Sequence, residues 1–290
     1  MRNHLLYARS PDWAAIAQRG DALMAAAEFR TVKHEAKTRA GLIAIGGQEI
    51  FIKRFEPRSW ADGLIERIRG SRAARSLKGA AILADAGFAR PAPLAALEAR
   101  CAGSVRASYL LSEALSEART LSQFVDRRLG AERRDFRWRR EVSRRVAGEV
   151  RRLHESGLYS SDLQETNLML EQARDGLRIY FVDLDGFRRL GPVSWRRRER
   201  NLIQLDRSAG RFLSRAVRLR FLYDYLGGRP DRDRARRLVG DLLKRSARKE
   251  REYRRRRKRR NTLDVAAANG TGSALSNLIK PKSAGNQGGG

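Results

Sequence analysis

Residues 159–186 constrain this chain more than any other stretch. Tyr159-Ser-Ser-Asp-Leu-Gln-Glu-Thr-Asn-Leu-Met-Leu170 places an aspartate, Asp162, five positions before an asparagine, Asn167. An apolar run, Ile179-Tyr-Phe-Val182, then delivers a second carboxylate within Asp183-Leu-Asp-Gly186. A short loop can turn Asp162 and Asn167 toward one pocket, and a strand hairpin can return Asp183 beside them. These residue types suit one chemistry. One carboxylate accepts the proton of an attacking hydroxyl, while an amide oxygen and a second carboxylate hold Mg²⁺ against nucleotide phosphates. A bare Asp-x-x-x-x-Asn match reads better as a polar loop between helices. The apolar strand and the Asp-x-Asp-Gly behind it make this one specific.

A third element lies upstream. Residues 38–45 and 48–55 read as strands joined at Gly46-Gly47, a strong hairpin signal. Along the second strand Phe51, Lys53 and Phe55 alternate with Ile50, Ile52 and Arg54, so Lys53 shares a face with two phenylalanines. A lone strand lysine ordinarily snorkels at a sheet edge. Expected on the third strand of an N-terminal sheet and ahead of the Asp162 loop, Lys53 is instead positioned to hold the phosphates of ATP. No Gly-x-Gly-x-x-Gly precedes it, so the phosphate-covering turn is expected near 37–41 in a different form.

The remaining pattern alternates short helices and strands. Ser10-Pro11 opens a helix, and 59–83 is helical with a break at Gly70-Ser71 and an end at Gly87. Pro91 and Pro93 force extended chain. Residues 108–113 form the last strand of a first lobe, and Glu113 with Ala114 forms a hinge whose backbone meets adenine. Residues 135–156 make a long helix stopped by Gly157, with His154 capping carbonyls in its last turn. Further helices follow at 195–205 and 212–226, and the last one starts at Asp231 and runs into Arg254-Arg-Arg-Arg-Lys-Arg-Arg260.

Composition narrows the partners. The 290 residues carry 62 Lys and Arg against 33 Asp and Glu, a net charge of +29, so anionic partners are expected. The 41% apolar content supplies a core. A single cysteine, Cys101, excludes an internal disulfide and suits a reducing compartment. Three scattered histidines argue against a Cys/His metal site. No signal peptide and no membrane-length apolar run is visible.

Taken in order, several stretches resemble the lipopolysaccharide core kinase family, which phosphorylates Kdo or heptose. They are Ile52-Lys-Arg-Phe55, Gly70-Ser-Arg-Ala-Ala-Arg-Ser-Leu77 with 87–93, Leu153-His-Glu-Ser-Gly157, Asp162-Leu163 with Asn167, Val182-Asp-Leu-Asp185, and Asn201-Leu202 with Arg207-Ser208. The resemblance spans roughly residues 30–225. It implies an α+β, protein-kinase-like fold of two lobes, ATP with Mg²⁺ as cofactors, and a sugar hydroxyl as acceptor. By position, Lys53 holds ATP phosphates, Asp162 is catalytic, and Asn167 and Asp183 are metal ligands. Glu113 marks the adenine side, and Asp185 and Glu66 are accessory candidates. Three departures stand out: Ser160 replaces the histidine two before the catalytic Asp, Ser76 replaces the glutamate that pairs with the lysine, and Gln164 replaces a lysine. Glu66 is a candidate substitute for that glutamate.

The expected organisation is an N-terminal lobe over 1–113, a C-terminal lobe over 114–260 and a disordered Gly/Asn/Ser-rich tail over 261–290. The expected function is ATP-dependent phosphorylation of a Kdo or heptose hydroxyl of the lipopolysaccharide inner core, in the cytoplasm or at the inner face of the inner membrane. Residues 244–260 hold twelve basic and two acidic side chains, which suits an anionic membrane surface. Rival readings are a kinase for a small-molecule or protein acceptor, a pseudokinase regulator suggested by Ser160 and Ser76, and a nucleic-acid binder. The last lacks aromatics interleaved with its basic residues.

Overall fold

The computed structural model describes residues 2–35, 37–129, 136–210, 213–228 and 231, with isolated positions between 239 and 255. Residues 1–236 form one unit and 237–290 a second. The second is described only at scattered helical positions, where Arg248 and Glu252 pair one turn apart at 3.7 Å. The tail over 261–290, and most of the basic segment over 244–260, lie outside the described residues.

The first unit begins with strand β1 (Arg2–Ala8), helices α1 (Pro11–Gln18) and α2 (Gly20–Ala25), and strands β2 (Arg30–Glu35), β3 (Thr38–Ile45) and β4 (Gln48–Phe55). Helices α3 (Trp60–Arg69) and α4 (Arg72–Asp85) follow, then β5 (Pro93–Cys101) and β6 (Ser104–Glu113). The six strands make one antiparallel sheet in the order β1-β5-β6-β4-β3-β2. The sequence pattern missed β1, whose residues are mostly exposed and carry no clear alternation. It also began β6 four residues late. With β1 counted, Lys53 stands on the fourth strand in chain order, between β3 and β6.

Period-two alternation sends the two faces of this sheet to different jobs. Ile50, Ile52, Leu97, Tyr109 and Leu111 face one core with Met24 of α2 and Phe29. Phe55, Ala96 and Leu110 face the other way and meet Ala73 of α4. Lys53, in phase with Phe55, stands on that second side. Helices α3 and α4 are separated at the predicted place. Gly70 adopts φ +86°, and the hydroxyls of Ser59 and Ser71 accept N–H bonds from Asp62 (3.1 Å) and Ala74 (3.2 Å), capping each helix.

The chain continues with β7 (Arg119–Thr120), α5 (Leu121–Leu129), α6 (Phe136–Glu155), β8 (Leu158–Ser160), β9 (Leu168–Ala173), β10 (Gly176–Phe181), β11 (Phe187–Arg189), α7 (Trp195–Ala209) and α8 (Arg215–Leu226). Strands β10-β9-β7 form a small sheet, and β11 pairs with β8. The long helix α6 buries Val142, Val146, Ala147, Val150 and Leu153 along one stripe. Its arginines form ion pairs with neighbouring glutamates, such as Arg144 with Glu141 (2.7 Å) and Arg151 with Glu155 (2.6 Å). Gly157, at φ +75°, ends it as expected.

Candidate active site

Two short paired segments build the floor of the site. Strand β8 leads into Asp162, and the turn after β10 carries Asp183. Phe187 of β11 pairs with Ser160, and the N–H of Ser161 donates to Gly186 O at 3.0 Å. Across the second junction, the N–H of Val182 donates to Asn167 O at 3.0 Å. A Cβ on Gly186 would stand 2.8 Å from the Ser161 hydroxyl, so a side chain there would force that hydroxyl to move. Backbone hydrogen bonds therefore bring the Asp162–Asn167 loop and the Asp183 turn together.

Asp183 itself is strained. Its φ of 58° and ψ of 60° lie in the left-handed region, rare for a residue with a side chain and found at functional turns. Its carboxylate meets Lys53 across 130 residues of sequence, Nζ to Oδ1 2.6 Å. Burial pushes the Asp183 pKa up, but the charge and hydrogen bond of Lys53, helped by Arg72 and Lys33, outweigh it and hold it below the ordinary value. Lys33 lies on β2, so the β2–β3 hairpin brings positive potential to this carboxylate. That hairpin stands where the sequence placed the phosphate-covering turn.

Asp185, two residues on, is bound by Arg72 at the start of α4, Nε to Oδ2 2.9 Å. Arg72 also donates to Thr38 Oγ1 (3.2 Å) and lies over the Phe55 ring, 4.5 Å from its centre. Lys53 approaches the same ring at 5.1 Å. Further along α4, a Cβ on Gly79 would sit 2.0 Å from Leu184 O. Helix α4 is thus pinned to the Asp183–Gly186 turn by an ion pair and by backbone contact. Arg72 was not singled out from the sequence: it lies inside the Gly70–Leu77 stretch but looks like the four other arginine and lysine positions of α3 and α4, Arg67, Arg69, Arg75 and Lys78.

The Asp162 loop is held differently. Ser160 is buried, its hydroxyl accepts the Asp162 N–H (3.2 Å), and its carbonyl accepts Asn201 Nδ2 (2.7 Å). The bracing that a histidine would give from position 160 therefore comes from a serine and an asparagine. Gln204 donates to Ser161 O (2.7 Å), and Ser208 Oγ accepts the Glu165 N–H (2.9 Å). Asn201, Gln204 and Ser208 follow i, i+3, i+7 spacing, which puts them on one face of α7. That polar stripe on an arginine-rich helix was the available signal.

His154 corrects an expectation. It does not cap α6 but is fully buried, with Nδ1 2.8 Å from Tyr225 Oη and Nε2 3.1 Å from Asn201 Oδ1. Because Asn201 Nδ2 donates to Ser160 O, its Oδ1 must accept, which assigns the histidine proton to Nε2. Burial pushes the His154 pKa down to about 4, against the opposing Asn201 hydrogen bond and with help from the Arg198 charge. A neutral imidazole is what this arrangement requires.

The other predicted residues fall as follows. Asp162 is exposed, and Oδ1 accepts from Gln164 Nε2 at 2.5 Å. Asn167 donates through Nδ2 to Asp162 O (2.9 Å), which leaves its amide oxygen as the end available to a cation. Glu66 pairs with Arg75 (3.9 Å) rather than with Lys53, and burial pushes its carboxyl up while Arg75 and Arg72 pull it down. Glu113 pairs with Arg9 (2.6 Å), its N–H donates to Ala92 O (3.0 Å), and the Ala114 N–H donates to Glu49 O (3.3 Å). Both amide N–H groups of the expected hinge are therefore used inside the protein.

Among the described residues no group of three or more His, Cys, Asp or Glu could hold a metal by itself. Asp183 and the Asn167 oxygen fit Mg²⁺ in the manner of nucleotide sites, where one or two protein ligands suffice and phosphates and water complete the octahedron. No described helix is long and apolar enough to cross a membrane.

Comparison with known proteins agrees with this architecture. Residues 24–225 match the profile of the lipopolysaccharide kinase (Kdo/WaaP) family. No curated protein sequence matches the chain. A solved structure, WaaP in complex with acyl carrier protein, is similar over 87% of this chain and 99% of that one, with TM-score 0.62 and 22% identity. The likeness shows the fold: a protein-kinase-like arrangement of helices and an antiparallel sheet, as expected from the sequence.

Proposed function

The chain belongs to the lipopolysaccharide kinase (Kdo/WaaP) family and is a phosphotransferase; from that premise we propose that it transfers the γ-phosphoryl group of ATP to a Kdo or heptose hydroxyl of the inner core. The observation that carries the reading is the 2.6 Å pair between Lys53 on the sheet and Asp183 in the helical lobe, beside the loop of Asp162 and Asn167. Bound ATP–Mg²⁺ supplies the phosphoryl group. Asp162 orients the acceptor hydroxyl and takes its proton, a role worth about 10²–10⁴-fold. Asn167 and Asp183 provide the oxygen ligands for the cation. Lys53 holds phosphate oxygens, and Arg72 keeps Asp185 and α4 in register with the turn. The connection beginning at Glu113 would line the adenine side through its other groups, since the N–H groups of Glu113 and Ala114 are already bonded within the protein.

An exposed Asp162 suits an acceptor that arrives from solvent, and Gln164 on its carboxylate supplies a neutral donor. The partner we propose is the lipopolysaccharide core or its precursor, met on the inner face of the inner membrane, with the basic segment over 244–260 attracted to anionic lipid. Mass spectrometry of core oligosaccharide from cells with and without the gene tests the reading. The expected result is the loss of one phosphate in its absence. Identical spectra would remove this acceptor.

A further inference from the structure

Helix α3 is mounted inside out. At 3.6 residues per turn, Trp60, Ala61, Leu64, Ile65 and Ile68 fall on one continuous arc of about 140°. All five are exposed, Ile68 at 82% and Trp60 at 50%. The opposite side faces the protein. A Cβ on Gly63 would stand 2.2 Å from Val105 O and 2.4 Å from Ser104 Oγ, and Glu66 turns inward to Arg75. A helix on a globular domain normally buries its apolar stripe. This one buries a glycine and a carboxylate and leaves the stripe in water, which marks an interaction surface.

The helix is firmly seated. Ser59 caps it, Ser104 Oγ donates to Trp60 O (3.0 Å), and Arg67 Nη1 donates to Gly103 O (3.0 Å). The frame around the stripe is cationic. Arg58, Arg67, Arg69 and Lys37 are exposed, with Lys37 Nζ 3.5 Å from Arg58 O, whereas both carboxylates of α3, Asp62 and Glu66, are only partly exposed. The open face of α3 therefore presents apolar groups ringed by positive charge.

Size and chemistry favour lipid over protein. Ten residues of helix span about 15 Å. At the roughly 10–12 Å width of a helix with its side chains, that face covers on the order of 150–180 Å², small beside the roughly 800 Å² per partner of a stable protein interface. It suffices for an amphipathic helix lying flat in a bilayer, where Trp and aliphatic side chains enter the headgroup–acyl boundary and arginines meet lipid phosphates. We propose that α3 is a membrane-docking helix for an anionic bilayer, with Trp60, Leu64, Ile65 and Ile68 inserted and Arg58, Arg67 and Arg69 on the headgroups. The assignment does not depend on the phosphotransferase reading, and it is separate from the basic segment over 244–260.

The test uses the full chain with phosphatidylcholine vesicles, with and without phosphatidylglycerol, read by flotation and by tryptophan emission. The wild-type protein is expected to float with the anionic vesicles and its emission to shift to the blue. Leu64→Glu with Ile68→Glu should weaken flotation at least about tenfold, since it removes the inserted side chains and adds repulsion. Ile68→Ser alone, at a solvent-exposed position, should weaken it in the same direction and carries the test if the double variant misfolds. Trp60→Phe should remove the blue shift, although three other tryptophans remain. Wild-type protein that stays off anionic vesicles overturns the proposal, as does a double variant that floats like wild type or a blue shift that survives Trp60→Phe. So does a result in which α3 variants abolish self-association or capture of an acidic protein while flotation is unchanged, because that gives the face to a protein partner.

Discussion

On the sheet side of the site, Lys53 and Asp183 are held by charge, next to a second ion pair between Arg72 and Asp185. On the helical side, Asp162 and Asn167 stand on a neutral network running from Ser160 through Asn201 and His154 to Tyr225. The contrast separates what is exchangeable from what is permanent. Ion pairs at a partly open surface can trade partners with phosphate oxygens or a cation at small net cost, because one set of charges replaces another. A buried neutral network has no such substitute, and losing one member leaves orphaned donors and acceptors. The charged side is thus suited to a ligand that comes and goes, and the neutral side to holding a base in one place.

The largest effect should come from breaking the charged side. Asp183→Ala, and separately Lys53→Met, should abolish phosphate transfer while circular dichroism stays that of the wild type. A comparable activity in either variant would make the 2.6 Å pair a structural bridge only. Next, Asn201→Leu should cost stability, because it strands Ser160 O and the His154 N–H. Each orphaned group is worth about 1–3 kcal/mol, readable as a lowered denaturant midpoint. An unchanged midpoint would mean the network is not what holds the loop.

The third effect is a pH dependence, and its sign follows from His154. Its pKa is lowered to about 4 in the folded protein against 6.5 as the ordinary value. Between those values the unfolded chain binds a proton that the folded chain does not, so stability falls as pH drops from 6.5 toward 4. Below that window both states are protonated and this group adds no further loss. The expected contribution is about 3 kcal/mol at most. His154→Leu should flatten the slope in this window, even though it lowers stability at neutral pH. A slope unaltered by that change would assign it to other groups.

Parts of both sides were legible in the sequence, because they are written in local patterns. The Gly46-Gly47 hairpin phased Lys53, the Asp162–Asn167 spacing fixed the loop, and the apolar run of β10 delivered Asp183. The Gly70-Ser71 break between α3 and α4 was readable from capping chemistry alone. What could not be read depends on tertiary proximity. Arg72 looks like any arginine of a basic helix until α4 is set against the Asp183 turn, and nothing in the triplet around Gly79 announces the backbone of Leu184. His154 looked like a C-terminal cap because sequence shows its place in α6, not the later arrival of Tyr225 from α8. Strand β1 was invisible because an exposed edge strand needs no apolar alternation. Glu66 was offered as the partner of Lys53 on helical position alone, and the fold turns it toward Arg75.

The most direct measurement is transfer of labelled γ-phosphate from ATP to an isolated inner-core acceptor, run with ATP binding measured in parallel on wild type and Asp162→Ala. The account predicts transfer by wild type, and in Asp162→Ala a loss of about 10²–10⁴-fold with ATP binding retained, because Asp162 acts on the hydroxyl and not on the nucleotide. Undiminished transfer by Asp162→Ala, or a loss of transfer that merely follows a loss of ATP binding, would contradict it.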